Sequence, residues 1–436
     1  MRFLLNPGGN LRGSVRVPGD KSISHRAIML GALADGVTGV TGFLSGADSL
    51  ATLAACRAMG VAITDPDAAG RVTIHGGGLH GLTAPSAPLD LGNSGTSMRL
   101  LAGLLAGQPF ASTLIGDASL MQRPMRRVTQ PLGLMGAQIT ASASGTAPLQ
   151  ITPVDQLRGI EYALPVASAQ VKSSILLAGL FADGATWVTE PAPSRDHTER
   201  MLTAFGYTVE RDGMRVGVRG GGRLVATDVA IPADLSSAAF FLVGASIAPE
   251  SDLILTDVGI NPTRRGIITL LQMMGADIEI VNPRTFGGEP VADLRVRSAA
   301  LHGIEIPEEQ VALAIDEFPA LFIAAACAEG ETVLRGAAEL RVKESDRIQV
   351  MADGLTALGI AADPAADGLR IRGGQLRGGT VNSHGDHRVA MAFAMAALRA
   401  SEPITILDCA NVATSFPDFA PLAAAAGLRI SSDDNG

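Results

Sequence analysis

The feature that most constrains this chain is a repeat. A short polar stretch running into an Ala/Leu-rich helical pattern begins near Ser22, Ser94, Ser168, Leu235, Glu317 and His387, at intervals of 67 to 82 residues. A glycine closing a second helical pattern recurs separately at Gly60, Gly136, Gly206, Gly275, Gly359 and Gly427, at intervals of 68 to 84 residues. A third marker, an extended segment that turns into a Leu, falls at Leu79, Leu157, Leu224, Leu301 and Leu376. Independent markers on one period point to one supersecondary unit used six times.

Each repeat reads as a first helix, a strand, a loop, a second helix, and two strands joined by a Gly-rich turn. The first helix lacks a polar face (residues 175–180, 321–328 and 389–398), so it belongs inside. The second carries charge on one side (264–274, 346–358) and belongs outside. At 436 residues the chain exceeds what one core usually covers. The expected fold class is therefore α/β, with two domains of three repeats each and buried helices wrapped by β-sheets. One N-terminal strand (residues 1–17) precedes the first repeat, and the sixth lacks its final strand pair. The chain is thus expected to start in one domain, make three repeats of the other, and return. The domains become 1–19 with 232–436, and 20–231, with crossovers at Pro18-Gly19 and Ile231-Pro232.

Composition removes other classes. Charged residues make up 18% against roughly 25% in typical soluble chains, while hydrophobic residues reach 47%, which excludes a disordered protein. A net charge of −9 and only 16 aromatic residues disfavour nucleic acid as partner. Cys56, Cys327 and Cys409 are isolated, giving neither a disulfide framework nor a zinc pattern. The apolar run after Met1 is too short for a signal peptide. Residues 100–115, broken by Gln108-Pro109, fall short of the ~20 residues of a membrane span. A cytoplasmic protein with no membrane partner is expected.

The polar residues concentrate where the inner helices begin: Asp20-Lys21-Ser22-Ile23-Ser24-His25-Arg26, Gly92-Asn93-Ser94-Gly95-Thr96-Ser97-Met98-Arg99, and Ser168-Ala169-Gln170-Val171-Lys172. A helix N-terminus attracts anions, and one such stretch alone reads as an ordinary N-cap. Cations are unfavourable there, yet Lys21, Arg26, Arg99 and Lys172 recur, as an anionic substrate requires. Arg123, Arg195, Arg341, Lys343 and Arg347 stand before outer helices, and Asp386-His387-Arg388 opens the sixth inner helix. Arg264 and Arg265 read as solvated charge. Asp316 is either an N-cap or, like Glu344, a carboxylate poised for proton transfer. Gly76, Gly78 and Gly81 spell a dinucleotide motif, but Pro85 and Pro88 occupy the place of its helix. His384, Asp386 and His387 lack a second ligand cluster, and a helix-start role suits Asp386 better.

Taken together, these stretches, with Gln122-Arg123-Pro124, Arg341-Val342-Lys343-Glu344-Ser345-Asp346-Arg347 and Ser415-Phe416-Pro417, resemble the enolpyruvyl transferases, in particular the branch acting on shikimate 3-phosphate. The resemblance spans nearly the whole chain. It implies two domains of three repeats with the active site in their cleft. The implied reaction moves the enolpyruvyl group of phosphoenolpyruvate to the 5-hydroxyl of shikimate 3-phosphate and releases phosphate, with no cofactor and no metal. By motif, Lys21, Ser22 and Arg26 hold shikimate 3-phosphate, with Lys21 also near phosphoenolpyruvate. Ser168, Ala169 and Gln170 line the shikimate site, with Lys172 and Arg195 beside them. Gly95, Arg123, Arg347 and Arg388 match phosphoenolpyruvate contacts. Asp316 and Lys343 reach the target hydroxyl, with Asp316 as base and Glu344 as proton donor to the methylene carbon. A monomer is expected.

Ala169, Ser345, Thr414 and Glu339-Leu340 depart from one bacterial branch of the family and look like the other, some of whose members tolerate the inhibitor glyphosate. The sister branch acting on UDP-N-acetylglucosamine mostly carries Cys five residues before the Arg-Pro, where this chain has Ala118. A non-catalytic phosphometabolite sensor has no need of Asp316 and Glu344.

Overall fold

The computed structural model describes residues 1–433. The chain divides into two compact units. A central unit comprises Gly19–Ile231 with Phe286–Glu289, and a split unit comprises Met1–Pro18, Pro232–Thr285 and residues 290–433. Each has its own hydrophobic core.

In the central unit the helices are α1 (Lys21–Leu33), α2 (Ala47–Ala58), α3 (Gly95–Ala106), α4 (Arg126–Leu134), α5 (Ala169–Gly179) and α6 (His197–Ala204). The split unit holds α7 (Leu235–Ile247), α8 (Gly266–Met273), the single turn α9 (Glu308–Val311), α10 (Phe318–Cys327), α11 (Arg347–Ala357), α12 (His387–Ala396) and α13 (Phe419–Ala426). The inner helices are α1, α3, α5, α7, α10 and α12. Having no charged stripe to keep wet, they bury nearly every side chain, and in α7 and α12 all of them. Small residues let them approach closely: a Cβ added at Gly103 of α3 would overlap the Ser174 carbonyl of α5.

The sheets repeat one pattern. Each four-stranded sheet begins with a parallel pair and continues antiparallel, as in the order 89–90, 112–115, 149–152, 138–140. The same order holds for 161–163, 185–189, 215–219 and 209–212. In the first repeat the parallel edge is supplied by Val229–Ala230, from the end of the third. The central unit thereby closes on itself and hides an otherwise open sheet edge.

The split unit closes with N-terminal strands, and here the expectation of one strand over residues 1–17 is corrected. Pro7-Gly8-Gly9, with both glycines at positive φ, breaks that segment into Arg2–Leu5 and Arg12–Val15. Arg12–Val15 is the parallel edge beside Asp252–Gly259 of the fourth repeat. Arg2–Leu5 lies between Ile404–Leu407 and Ile430–Asp433, antiparallel to both. The sixth repeat therefore does not lack its final pair. One strand is its own, and the other comes from the start of the chain. Among the described residues no helix is long and apolar enough to cross a membrane.

Candidate active site

In the central unit, side chains tie three inner-helix starts to one another. Asp20 caps α1, accepting from the Ile23 amide at 2.9 Å, and Ser94 caps α3, accepting from the Ser97 amide at 3.1 Å. Ser168 precedes α5 without making a side-chain cap bond. Arg99 Nη1 donates to Gln170 Oε1 at 2.5 Å, and Gln170 Nε2 to Thr96 Oγ1 at 3.0 Å, which joins α3 to α5. Arg26 joins α1 to α5 and α6, donating to Ser173 Oγ at 2.9 Å and Thr198 Oγ1 at 2.7 Å. A buried chain runs from His25 Nδ1 to Thr52 Oγ1 (2.7 Å) and on to Ser97 Oγ (2.6 Å), joining α1 to α2 and α3.

Of the residues expected in the site, this unit places Lys21, Ser22, Arg26, Gly95, Ser168, Ala169 and Gln170 on or beside those starts. Arg123 reaches the same stretch, donating to Asn93 Oδ1 at 2.6 Å. Arg195 stands just before α6, near enough to Arg26 to disfavour its charge. Burial is the larger influence on Arg26, and together with Arg195 it draws the guanidinium down to about 10 against the pull of Glu199, Asp20 and Glu289. Lys21 is not alone either, since Asp48 Oδ2 lies 3.0 Å from its Nζ. Asp48 escaped the sequence reading because an acid in a first helical turn looks like a dipole partner.

Lys172 departs from expectation. Its side chain is 1% exposed and its Nζ lies 2.8 Å from both Glu190 Oε2 and Glu199 Oε1, so its charge is compensated inside the fold.

In the split unit, Arg347 is the hub. It is 1% exposed; its Nε donates to Asp386 Oδ2 at 2.8 Å and its Nη2 to Glu344 Oε2 at 2.7 Å, while Nη1 lies 3.6 Å from Asp316 Oδ1. Burial alone would weaken its proton affinity, but Asp386, Glu344 and Asp316 together raise its pKa above the ordinary arginine value. Lys343 Nζ lies 3.4 Å from Asp316 and donates to Glu339 at 2.8 Å. Asp316 is not an N-cap, because that position before α10 belongs to Glu317. Its side chain is 15% exposed and that of Glu344 24%, so both carboxylates are partly exposed where Arg347 is buried. Asp386 caps α12 through the Arg388 amide at 2.9 Å.

Arg264 corrects the reading of solvated charge. It is 4% exposed, donating to Asp234 Oδ1 at 3.1 Å and Ser236 Oγ at 2.5 Å. Its Nη2 and Arg388 Nη1 each stand 3.8 Å from Glu317 Oε1. Arg265 is exposed, as expected. Among the described residues, no group of three His, Cys, Asp or Glu side chains is arranged to hold a metal ion.

Six repeats in two units, with cations and carboxylates at the inner-helix starts, define a class of protein. The enolpyruvyl transferase NikO from Streptomyces tendae superposes with a TM-score of 0.78 at 19% identity, covering 99% of this chain and 98% of its own, so this is the enolpyruvyl transferase fold. Residues 5–422 match the EPSP synthase (3-phosphoshikimate 1-carboxyvinyltransferase) family, and the chain belongs to it. The 3-phosphoshikimate 1-carboxyvinyltransferase of Methylococcus capsulatus is 68% identical over 428 residues, 98% of either chain. The solved EPSP synthase of Acinetobacter baumannii is 59% identical with a TM-score of 0.90, covering 99% of this chain and all of its own.

Proposed function

We propose that the protein transfers the enolpyruvyl group of phosphoenolpyruvate to the 5-hydroxyl of shikimate 3-phosphate, releasing phosphate, as a cytoplasmic, monomeric enzyme of aromatic amino-acid biosynthesis. The observation that carries the reading is one buried arginine, Arg347, bracketed by two partly exposed carboxylates, Asp316 and Glu344, in a chain of this family. Phosphate binding alone needs no carboxylate. Addition followed by elimination needs a proton donor, a base and fixed cations.

In this reading Glu344 protonates the methylene carbon of phosphoenolpyruvate, and the neighbouring carbon becomes electrophilic. Asp316 accepts the proton of the 5-hydroxyl as its oxygen adds to that carbon. The tetrahedral adduct then loses phosphate, which takes the proton held by Asp316, and the methyl group returns its proton to Glu344. Arg347, Arg388, Arg123 and the backbone at Gly95 hold phosphoenolpyruvate, with Lys21 also beside it. Lys21, Ser22, Arg26, Ser168, Ala169, Gln170 and Arg195 hold shikimate 3-phosphate, and Lys343 directs the hydroxyl toward Asp316. The corresponding domain plan is 1–19 with 232–436, and 20–231.

The test is phosphate release from phosphoenolpyruvate with either shikimate 3-phosphate or UDP-N-acetylglucosamine as acceptor. Release with shikimate 3-phosphate alone is expected. Release only with the nucleotide sugar, or with neither acceptor, overturns the proposal.

A further inference from the structure

Lys172 sits in the first turn of α5, fully buried, where a cation opposes the helix dipole and an apolar residue would pack at no electrostatic cost. An ammonium has three protons to place, and all three of its contacts here fall on one short stretch of chain. Nζ donates to Glu190 Oε2 at 2.8 Å, meets Glu199 Oε1 at 2.8 Å, and donates to the Ser194 carbonyl at 3.4 Å. The second oxygen of Glu190 accepts a hydrogen bond from Ser194 Oγ, which fastens the stretch to itself.

That stretch is Glu190-Pro191-Ala192-Pro193-Ser194-Arg195-Asp196, leading into α6. Pro191 and Pro193 have no N–H to give to a ladder, so side chains must locate this loop. It carries Arg195.

We infer that Lys172 is a positioning residue: it buckles the 190–199 segment at Glu190, Ser194 and Glu199 and thereby presents Arg195 to shikimate 3-phosphate. The inference rests on the proposed reading of Arg195 as a contact of that substrate. Buried ion networks contribute little stability over apolar packing of the same volume. What this one supplies is a single loop geometry. The Lys172 ammonium is 1% exposed and already faces two carboxylates, so it has no charge to offer an external anion. Lys172 acts on the substrate only through Arg195.

The experiment compares Glu190→Gln, Lys172→Met and Arg195→Gln in the full-length enzyme by steady-state kinetics in each substrate, and the first two with wild type by the rate of tryptic cleavage after Arg195, mapped by mass spectrometry. Lys172→Met strands two buried carboxylates, so Glu190→Gln, which leaves the Lys172–Glu199 pair in place, decides the matter where that variant does not fold. Glu190→Gln should raise KM for shikimate 3-phosphate about tenfold, the scale of one charged hydrogen bond. KM for phosphoenolpyruvate should stay unchanged, and cleavage after Arg195 should quicken. A purely structural role would lower thermal stability and leave that split in KM absent. If Arg195→Gln raises KM for shikimate 3-phosphate and Glu190→Gln does not, or if both substrates weaken equally, the positioning role is overturned while the substrate reading stands. If Arg195→Gln itself leaves that KM unchanged, the substrate reading of Arg195 falls and the inference falls with it.

Discussion

Asp386 performs two tasks with one buried carboxylate, and substitution can separate them. Its Oδ1 caps α12 through the amide of Arg388 at 2.9 Å, while Oδ2 accepts from Arg347 Nε at 2.8 Å and from Ser345 Oγ at 3.0 Å. Asparagine caps a helix about as well as aspartate. Asp386→Asn therefore keeps the cap and replaces the charged acceptor facing Arg347 and Ser345 with an uncharged amide, whereas Asp386→Ala removes cap and acceptor together. Unpairing one partner of a buried ion pair costs about 3–5 kcal/mol. Glu344 at 2.7 Å and Asp316 at 3.6 Å remain beside Arg347, which puts Asp386→Asn at the low end, about 3 kcal/mol. The lost cap adds about 1 kcal/mol for Asp386→Ala. A two-unit protein need not unfold in one step, so the assay is hydrogen exchange of the α11 and α12 amides rather than a global melt.

The pH dependence follows from the direction of the shift. Burial would lift the Asp386 pKa, but Arg347 overrides it and holds the carboxyl below its ordinary value. The unfolded chain therefore binds the proton first, and the stabilisation is complete above about pH 4 and fades as pH falls through the folded value. The gap between wild type and Asp386→Asn should be flat from pH 8 to about 5 and shrink below about 4. Three results refute the reasoning: no measurable loss in Asp386→Asn, an Asp386→Ala protein no weaker than Asp386→Asn, or a gap that changes between neutrality and pH 5.

Asp316→Asn should fold normally, since Lys343 and Arg347 keep Glu339, Glu344 and Asp386, yet kcat should drop by about 10²–10⁴-fold if Asp316 is the base; near-normal turnover would remove it from that role. In Gly95→Ala the new Cβ stands 2.9 Å from Arg99 Nη1 and 3.1 Å from Arg123 Nη1, so those guanidinium ends must shift. Alanine favours a helix start over glycine, so KM for phosphoenolpyruvate should rise with no loss in thermal midpoint; an unchanged KM refutes this. His25, drawn down to about 3 by burial and then by Lys21 and Arg26, stays neutral in the fold while the unfolded chain protonates near 6.5. Its contribution is complete above pH 6.5 and fades below it, so the wild type should lose about 2 kcal/mol between pH 6.5 and 5 that His25→Asn does not lose. Matching urea titrations at the two pH values would show whether the difference exists.

The architecture was readable where local chemistry recurs. Helices without a polar face and glycines that end outer helices both report burial within a few residues of themselves, so six repeats could be counted before any contact was known. The strand exchange could not be read this way. Arg2–Leu5 pairs with strands some 400 residues away, and its own sequence is the same whether it sits at an edge or in the middle of a sheet. The site shows the same limit. Arg264 and Lys172 look in sequence like Arg123 and Lys21, a cation near a helix start. What separates them is burial between two carboxylates brought in from elsewhere, Asp234 and Glu317 for Arg264, Glu190 and Glu199 for Lys172, whereas Lys21 meets Asp48 and keeps a partly exposed side chain. Asp316 was ambiguous for a narrower reason. A one-residue offset decides between capping and facing Arg347, and helix boundaries are the least legible feature of a sequence.

In each unit the cations at the inner-helix starts come paired. A cation at a helix start opposes the dipole, and a buried one also gives up its hydration. Each is met by a carboxylate: Asp48 for Lys21, Glu317 for Arg388, and Asp386, Glu344 and Asp316 for Arg347. An arriving anion must therefore share these cations with carboxylates already on them. At Arg347 the consequence reaches the chemistry. Asp386 is fully buried and committed to its cap, so the partners that an anion can displace are the exposed pair, Glu344 and Asp316. On the proposed assignment these are the acid and the base. Glu344 is held at 2.7 Å by Arg347 and Asp316 lies 3.6 Å from it, so in the proposed reaction a substrate anion at Arg347 competes for that cation with the two carboxylates that handle its protons.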